Sequence, residues 1–342
     1  MNILIIGGTR FMGPHIVNQL AAKGHRVAVF HRGETKTALP EGVLEMFGDR
    51  DHLNDYSAQV TAFEPEIVLD MMLLNERQAM ELIEVVSGVA RRVVVASSCD
   101  VYRNYGLLRR FESGDSNQTP LTEDAPLRSK LFPYRDEVKD KSDRLYDYDK
   151  IPVEELVMLQ DSFAGTVLRL PVVYGPGDYQ HRFYSYLRRM KDNRPCILIE
   201  KLMADLRVTR GYCENCAAAI ANAVMDDRAS GRIYNVGEQK TPPEREWIER
   251  LARIVDWPGE IVSLAESQLP EHLEPGMDCR HHLEIDTGRV RRELNYAEPV
   301  ELDEALRRTV EWELDNPPVR DEFKQEYEAE DEALAGIKSG RN

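Results

Sequence analysis

Along the first hundred residues, short apolar runs alternate with stretches of helical periodicity. Asn2–Ile6 (NILII) is apolar almost throughout, as expected for a strand buried on both faces. A glycine-rich turn follows, and then a helix is predicted from Pro14 to Lys23, closed by Gly24 as a C-terminal cap. Further strands are predicted at Val27–Phe30, Val43–Phe47, Ile67–Met71 and Arg92–Ala96, with a helix over Glu76–Val86. Such alternation predicts an α/β chain whose doubly wound parallel sheet carries helices on both faces. From Arg103 to about Asp143 the pattern breaks into polar, charged and proline-containing sequence, the mark of a lid or insertion. Regular pattern returns with a helix expected over Tyr146–Leu159 and a strand over Thr166–Leu170. Beyond residue 178, short strands, helices and prolines mix, as expected of a smaller second lobe that can interleave with the first. The carboxylate-dense stretch Asp321–Glu332 is expected as a solvated helix or frayed end.

Charge and composition narrow the classes. The 342 residues carry 60 acidic against 44 basic side chains, a net charge of −16, which makes nucleic acid an unfavoured partner. No apolar run approaches the roughly 20 residues of a membrane span, and no leader pattern precedes the first strand. Five scattered cysteines fit a reducing compartment, so a soluble cytoplasmic protein is expected. Cys213 and Cys216 form a CxxC, but within GYCENCAAAIANAV they read as packing positions on a helix. With His281-His282 read as a surface turn, no metal site is expected.

Chemistry enters with GGTRFMG, residues 7–13, lying between an apolar strand and a helix. Gly7, Gly8 and Gly13 allow a tight turn and close approach of backbone to a pyrophosphate at the helix N-terminus, with Thr9, Arg10, Phe11 and Met12 completing the loop. This is a Rossmann-type dinucleotide signature, which makes residues 1–177 the cofactor domain, 103–143 its lid, 178–320 the substrate-binding lobe and 321–342 an acidic tail. Strand two ends in Phe30-His31-Arg32, where an NAD site usually carries an acid. His31, Arg32 and Arg10 suit a 2′-phosphate instead, so NADP is favoured over NAD. A second signal is Tyr146-Asp147-Tyr148-Asp149-Lys150, which places Tyr146 and Lys150 one helical turn apart on one face. A neighbouring ammonium favours the phenolate and brings a tyrosine toward useful acidity. Ser98, at the carboxyl end of strand five, is expected to face the cofactor crevice beside it.

With these motifs in place, the chain resembles the extended and atypical short-chain dehydrogenase/reductases of the NAD-dependent epimerase/dehydratase family. The resemblance rests on GGTRFMG, Asp49 in GDRD, SSCDVY, YDYDK, RLPVVYGPGD, GRIYNVGE and DTGRVRRELNY. It implies Ser98, Tyr146 and Lys150 as the catalytic set, with Asp100 as a base for proton abstraction next to a carbonyl. It also puts Asp49 near adenine, Pro171 and Val172 near the nicotinamide, and Asp70, Met71 and Ser97 along the cofactor. Tyr102, Arg207 and Arg210 become substrate candidates, and a homodimer is implied. Val172 stands where nucleotide-sugar members usually have an asparagine, and the strand-four segment reads Asp70-Met71-Met72. The expected activity is hydride transfer at a secondary alcohol or ketone of a sugar or nucleotide-sugar-like substrate, in an epimerase or dehydratase cycle. An NADPH-dependent carbonyl reductase is the alternative. A non-catalytic RNA-associated or nucleotide-sensing protein is the alternative of another class, because the GGTRF loop is similar to an atypical subgroup that includes chloroplast RNA-associated proteins.

Overall fold

The computed structural model describes residues 1–319 and 323–339. Chain order begins β1 (Asn2–Ile6), α1 (Met12–Ala22), β2 (Arg26–His31), β3 (Leu44–Phe47), α2 (Ser57–Phe63), β4 (Ile67–Asp70), α3 (Glu76–Val86) and β5 (Arg92–Ser98). After β5 come α4 (Arg103–Leu108), a long irregular stretch, α5 (Lys150–Met158) and β6 (Ala164–Leu170). The remainder holds β7 (Val172–Tyr174), α6 (Tyr184–Lys191), β8 (Cys196–Glu200), α7 (Lys201–Asp205), β9 (Arg210–Tyr212) and α8 (Cys213–Met225). It ends with β10 (Arg232–Asn235), α9 (Glu244–Ile254), β11 (Glu260–Leu264), α10 (Gly288–Leu294), α11 (Leu302–Asp315) and α12 (Phe323–Ser339).

Seven strands form one sheet in the order β10-β6-β5-β4-β1-β2-β3, every pairing parallel. The pleat explains the continuous apolar runs. Ile3 and Ile5 face one core with Ile16, Val17 and Leu20 of α1, while Leu4 and Ile6 face the other with Leu82 and Val86 of α3. Both faces are therefore dry, and only the strand ends are open to a ligand. Order reverses between β1 and β4, and at such a switch point ligands bind beyond the carboxyl ends of the strands.

The chain beyond 178 does not stand apart from this sheet. β10 adds to its edge beside β6, and α8 packs on α1. Two short parallel pairs, β7 with β9 and β8 with β11, lie outside it. The helix expected from Tyr146 begins instead at Lys150. Asp149 caps it by accepting from the Ile151 amide at 3.0 Å, and Pro152 suits only a first turn.

The acidic end also differs from expectation. Asp321 lies outside the described residues, but in α12 Glu330 is 1% exposed, held by Arg189 of α6 and by His272 at 3.0 Å. Asp331 pairs with Arg194, and Leu334 joins the apolar cluster of Leu198 and Leu264. Carboxylates spaced along one helix found arginines on another, which local charge density could not foretell. Among the described residues, no helix is long and apolar enough to cross a membrane.

Candidate active site

At the carboxyl end of β1 the glycine loop turns directly into α1. Gly7 has φ +82°, in the left-handed region that glycine adopts without steric cost. At Gly13 an added Cβ would sit 2.5 Å from the Gly8 carbonyl carbon, so helix and loop touch backbone to backbone. Phe11, immediately before α1, also holds a positive φ of 52° and makes no side-chain cap. The Gly13 amide donates to the Arg10 carbonyl at 2.8 Å and Pro14 carries no amide hydrogen, so it is the tight glycine turn and the positive end of the α1 dipole that fit a dinucleotide pyrophosphate. Thr9 is tied down through its carbonyl by Thr37, and Met12 opens the helix.

Beyond β2 lies a cavity of about 460 Å³ lined by His31, Gly33, Thr35, Lys36, Thr37, Ala38, Glu45 and Phe47. Arg10 reaches Thr35 at 2.6 Å, and Arg32 pairs with exposed Glu34 at 2.9 Å. His31 accepts from the Gly33 amide through Nδ1 and meets Glu45 through Nε2 at 3.0 Å. Both ring nitrogens of His31 are therefore engaged within the protein, and Lys36 adds a cationic side chain to the lining. Asp49 caps the turn after β3 by accepting from the Asp51 amide at 3.0 Å.

Asp70 and Ser97 are placed otherwise than expected. Asp70 is fully buried, with Arg50 Nε at 2.8 Å and the Met72 amide at 2.8 Å taking its two oxygens. It anchors the turn after β4 and offers no free oxygen to a cofactor. Met71 turns toward the core, and it is Met72 that lies over Gly7. Ser97 donates to Glu154 at 2.5 Å beneath the sheet end, while Ser98, one pleat on, faces the other way. Tyr102 is fully buried, its hydroxyl bonded to Asn235 at 2.6 Å and to Arg169 at 3.0 Å, so it is a core group. Arg210 pairs with Glu244 at 2.8 Å and lies over the Trp247 and Phe183 rings, while Arg207 binds the Thr241 carbonyl. Arg210 Nε and Nη1 are buried with no hydrogen-bond partner, so these contacts use only Nη2 of that guanidinium. Pro171 and Val172 sit where the chain leaves β6 for β7.

The chemistry gathers where β5 ends and α5 begins. Ser98 Oγ accepts from the Asp100 amide at 3.2 Å. Lys150, buried, donates to the carbonyls of Leu73 at 2.5 Å and Ala96 at 2.9 Å. Burial pulls its ammonium down to about 8, against the pull of Asp100 and Asp70. Asp100 is 5% exposed; burial raises its carboxyl, Oδ2 accepts from the Tyr148 hydroxyl at 2.7 Å, and Oδ1 has no hydrogen-bond partner.

Tyr146 is not part of this group. It precedes α5, so it does not share a helical face with Lys150, and its ring lies under Arg135 at 4.8 Å. Tyr148 is the tyrosine bonded to Asp100, and the Lys150 Nζ lies 5.9 Å from its ring centre. Sequence spacing missed Tyr148; the signal available was Asp149 with Pro152, which together start the helix at Lys150.

The lid is pinned to this point. Arg128 and Asp149, both with fully buried side chains, pair at 2.6 Å, and Asp149 also accepts from the Phe132 amide at 2.7 Å. Aromatic residues line its inner side, with Tyr134 5.4 Å from Tyr148 and 5.9 Å from Phe111, and Tyr105 bonded to Tyr134 at 2.5 Å. Beyond Phe111 opens a cavity of about 620 Å³, lined also by Arg103, Glu112, Ser113, Leu127, Ser129 and Lys130.

Residues 3–237 match the model of the NAD dependent epimerase/dehydratase family. The chain is 26% identical over 283 residues to the 2'-dehydrokanamycin reductase of Streptomyces kanamyceticus, covering 80% of this chain and 72% of that one. It is 25% identical over 256 residues to the chloroplast stem-loop binding protein of 41 kDa b of Arabidopsis thaliana, covering 70% and 59%. Among solved structures, the UDP-glucose 4-epimerase of Thermus thermophilus in complex with NAD superposes with a TM-score of 0.64 at 21% identity, covering 91% and 98%.

Proposed function

From the premise that this chain belongs to the NAD dependent epimerase/dehydratase family, whose members are nicotinamide-dependent enzymes, we propose that it transfers hydride at a secondary alcohol or ketone of a sugar-like substrate. The observation that carries this reading is the meeting of Ser98, Asp100 and Lys150 at the carboxyl end of β5, with Lys150 also reaching the Leu73 carbonyl after β4. The nicotinamide, when bound, supplies or accepts the hydride. Gly7, Gly8 and Gly13 with the start of α1 would hold the pyrophosphate, and Lys150 would reach the nicotinamide ribose. Ser98 donates its hydroxyl to the substrate oxygen and so orients the carbon that reacts. Asp49 stands by adenine, and Pro171 with Val172 by the nicotinamide.

NADP is favoured over NAD, because Lys36 lines the cavity at the end of β2 and Arg10 reaches Thr35 on its wall. The lid cavity beside Phe111 gives the substrate's far end a polar, partly cationic surface in Arg103 and Lys130. A homodimer is supported by Met80 on α3 and Leu159 after α5, both apolar and exposed, and cytoplasmic residence by five cysteines that are all free.

The test is to denature freshly purified protein and identify released nucleotide by mass spectrometry. Retained NAD⁺ or NADP⁺ would mark an epimerase or dehydratase that regenerates its cofactor internally. An empty protein that then binds NADPH would mark a carbonyl reductase, the activity class named for the Streptomyces relative. Binding neither nucleotide would overturn the reading. A salt-sensitive shift of labelled RNA would then favour the stem-loop-binding relative's role, which a net charge of −16 opposes.

A further inference from the structure

The tyrosine that the Tyr-x-x-x-Lys spacing selects is turned into the lid, and a different phenol meets the buried carboxylate. Tyr146 has Arg135 over its ring at 4.8 Å and Lys141 at 5.8 Å, and its carbonyl accepts from Arg135 at 3.2 Å. Tyr148 donates to Asp100 Oδ2 at 2.7 Å, on the turn that also carries Ser98. We propose that Tyr148, and not Tyr146, is the phenol that exchanges a proton with the substrate oxygen, and that Asp100 is the proton store behind it.

The inference rests on the nicotinamide reading above and deepens it. In the direction of reduction, hydride from a reduced nicotinamide dinucleotide adds to the carbonyl carbon as the C=O π bond breaks. The Tyr148 hydroxyl, turned from Asp100 Oδ2 to the substrate oxygen, then loses its proton as a new O–H bond forms there, and its own oxygen becomes the acceptor for Asp100. The Asp100 Oδ2–H bond breaks in turn, returning a proton to Tyr148 Oη. The net change is a protonated substrate oxygen, a neutral phenol and an Asp100 carboxylate; oxidation runs the same steps in reverse.

The surroundings suit this order. Burial raises the Asp100 carboxyl against the opposing pull of Tyr148, Arg128 and Lys150, and burial with Asp100 beside it raises the Tyr148 phenol. Positive charge on Arg128 and Lys150 steadies the carboxylate formed, opposed by Asp149. Cys99, Tyr105 and Tyr134 face the same carboxyl, and burial first, with Asp100 beside them second, raises all three. Arg128 also donates to the Asp100 carbonyl at 2.9 Å, which fixes the turn.

The experiment uses the full chain with Tyr148→Phe, Tyr146→Phe and Asp100→Asn. NADPH binding is read by nicotinamide fluorescence, and turnover by NADPH oxidation with phenanthrenequinone as the carbonyl probe. Tyr148→Phe is expected to bind NADPH within about twofold of wild type and to lose about 100-fold or more in kcat, the scale of general acid catalysis. Tyr146→Phe is expected to stay within about threefold. In infrared spectra at neutral pH without nucleotide, a protonated carboxyl band is expected, absent in Asp100→Asn and shifted in Tyr148→Phe but not in Tyr146→Phe. Loss of turnover in Tyr146→Phe with Tyr148→Phe near wild type would overturn the inference while leaving the nicotinamide reading intact. So would the absence of that infrared band, which decides the matter alone if the quinone is not turned over. A wild-type chain that binds no NADPH overturns both.

Discussion

Lys150 is a buried ammonium whose hydrogen bonds go to two main-chain carbonyls, and its burial has a measurable consequence for folding. Moving it from its ordinary 10.5 to about 8 corresponds, at about 1.4 kcal/mol per tenfold change in proton affinity, to roughly 3 kcal/mol. The sign is opposite to that of a surface lysine gaining a partner. Below pH 8 both folded and unfolded chains hold the proton, and the folded state bears the whole cost of burying the charge. Between pH 8 and 10.5 the folded state sheds the proton first. The unfolded chain then binds more protons, so stability rises with pH across that window. Buried tyrosines, raised in the fold, act in the opposite direction above about pH 10, so the effect is read as a difference. Lys150→Met keeps the stem and removes the charge. Stability of wild type relative to Lys150→Met, from denaturant unfolding at steps from pH 7 to 10.5, is expected to improve by about 3 kcal/mol. A flat difference would refute the argument and mean that the two carbonyls compensate fully for lost hydration.

Two further perturbations probe the scaffold. Gly13→Ala drives a Cβ into the Gly8 backbone at 2.5 Å, and is expected to cost about 1–3 kcal/mol of stability and at least about tenfold in nucleotide affinity. Gly24→Ala, strained by its φ of +80° but with nothing within 4 Å, controls for a general loss of stability and is expected to leave nucleotide affinity unchanged; unchanged nucleotide affinity in Gly13→Ala would refute the backbone-contact reading. Asp149→Ala removes the α5 cap and strands Arg128 in the interior, for an expected loss of about 3–5 kcal/mol by denaturant unfolding. A loss under about 1 kcal/mol would mean that water reaches Arg128 once its partner is gone.

Much of the molecule was legible in its residues. The run NILII is apolar at successive positions because β1 is covered on both faces, and Gly7, Gly8 and Gly13 declare a loop that side chains would fill. Helix α3 was predicted to the residue, because Glu76–Val86 carries its own period, and the structure adds Asn75 as its cap. All of these depend on neighbours within a turn or a pleat. What tertiary structure decided was partnership across distance. Tyr148 is 48 positions from Asp100, and Arg128 is 21 from Asp149, so no local spacing could rank Tyr148 above Tyr146. Asp70 reads in sequence as a polar end to an apolar strand, open to the crevice, until Arg50 arrives from 20 positions away and closes it. The acidic end reads as solvated until α6 presents Arg188 and Arg189 to Glu326 and Glu330. Backbone pattern follows from local sterics and periodicity, whereas a buried charge takes whichever counter-charge the folded chain brings within hydrogen-bond reach.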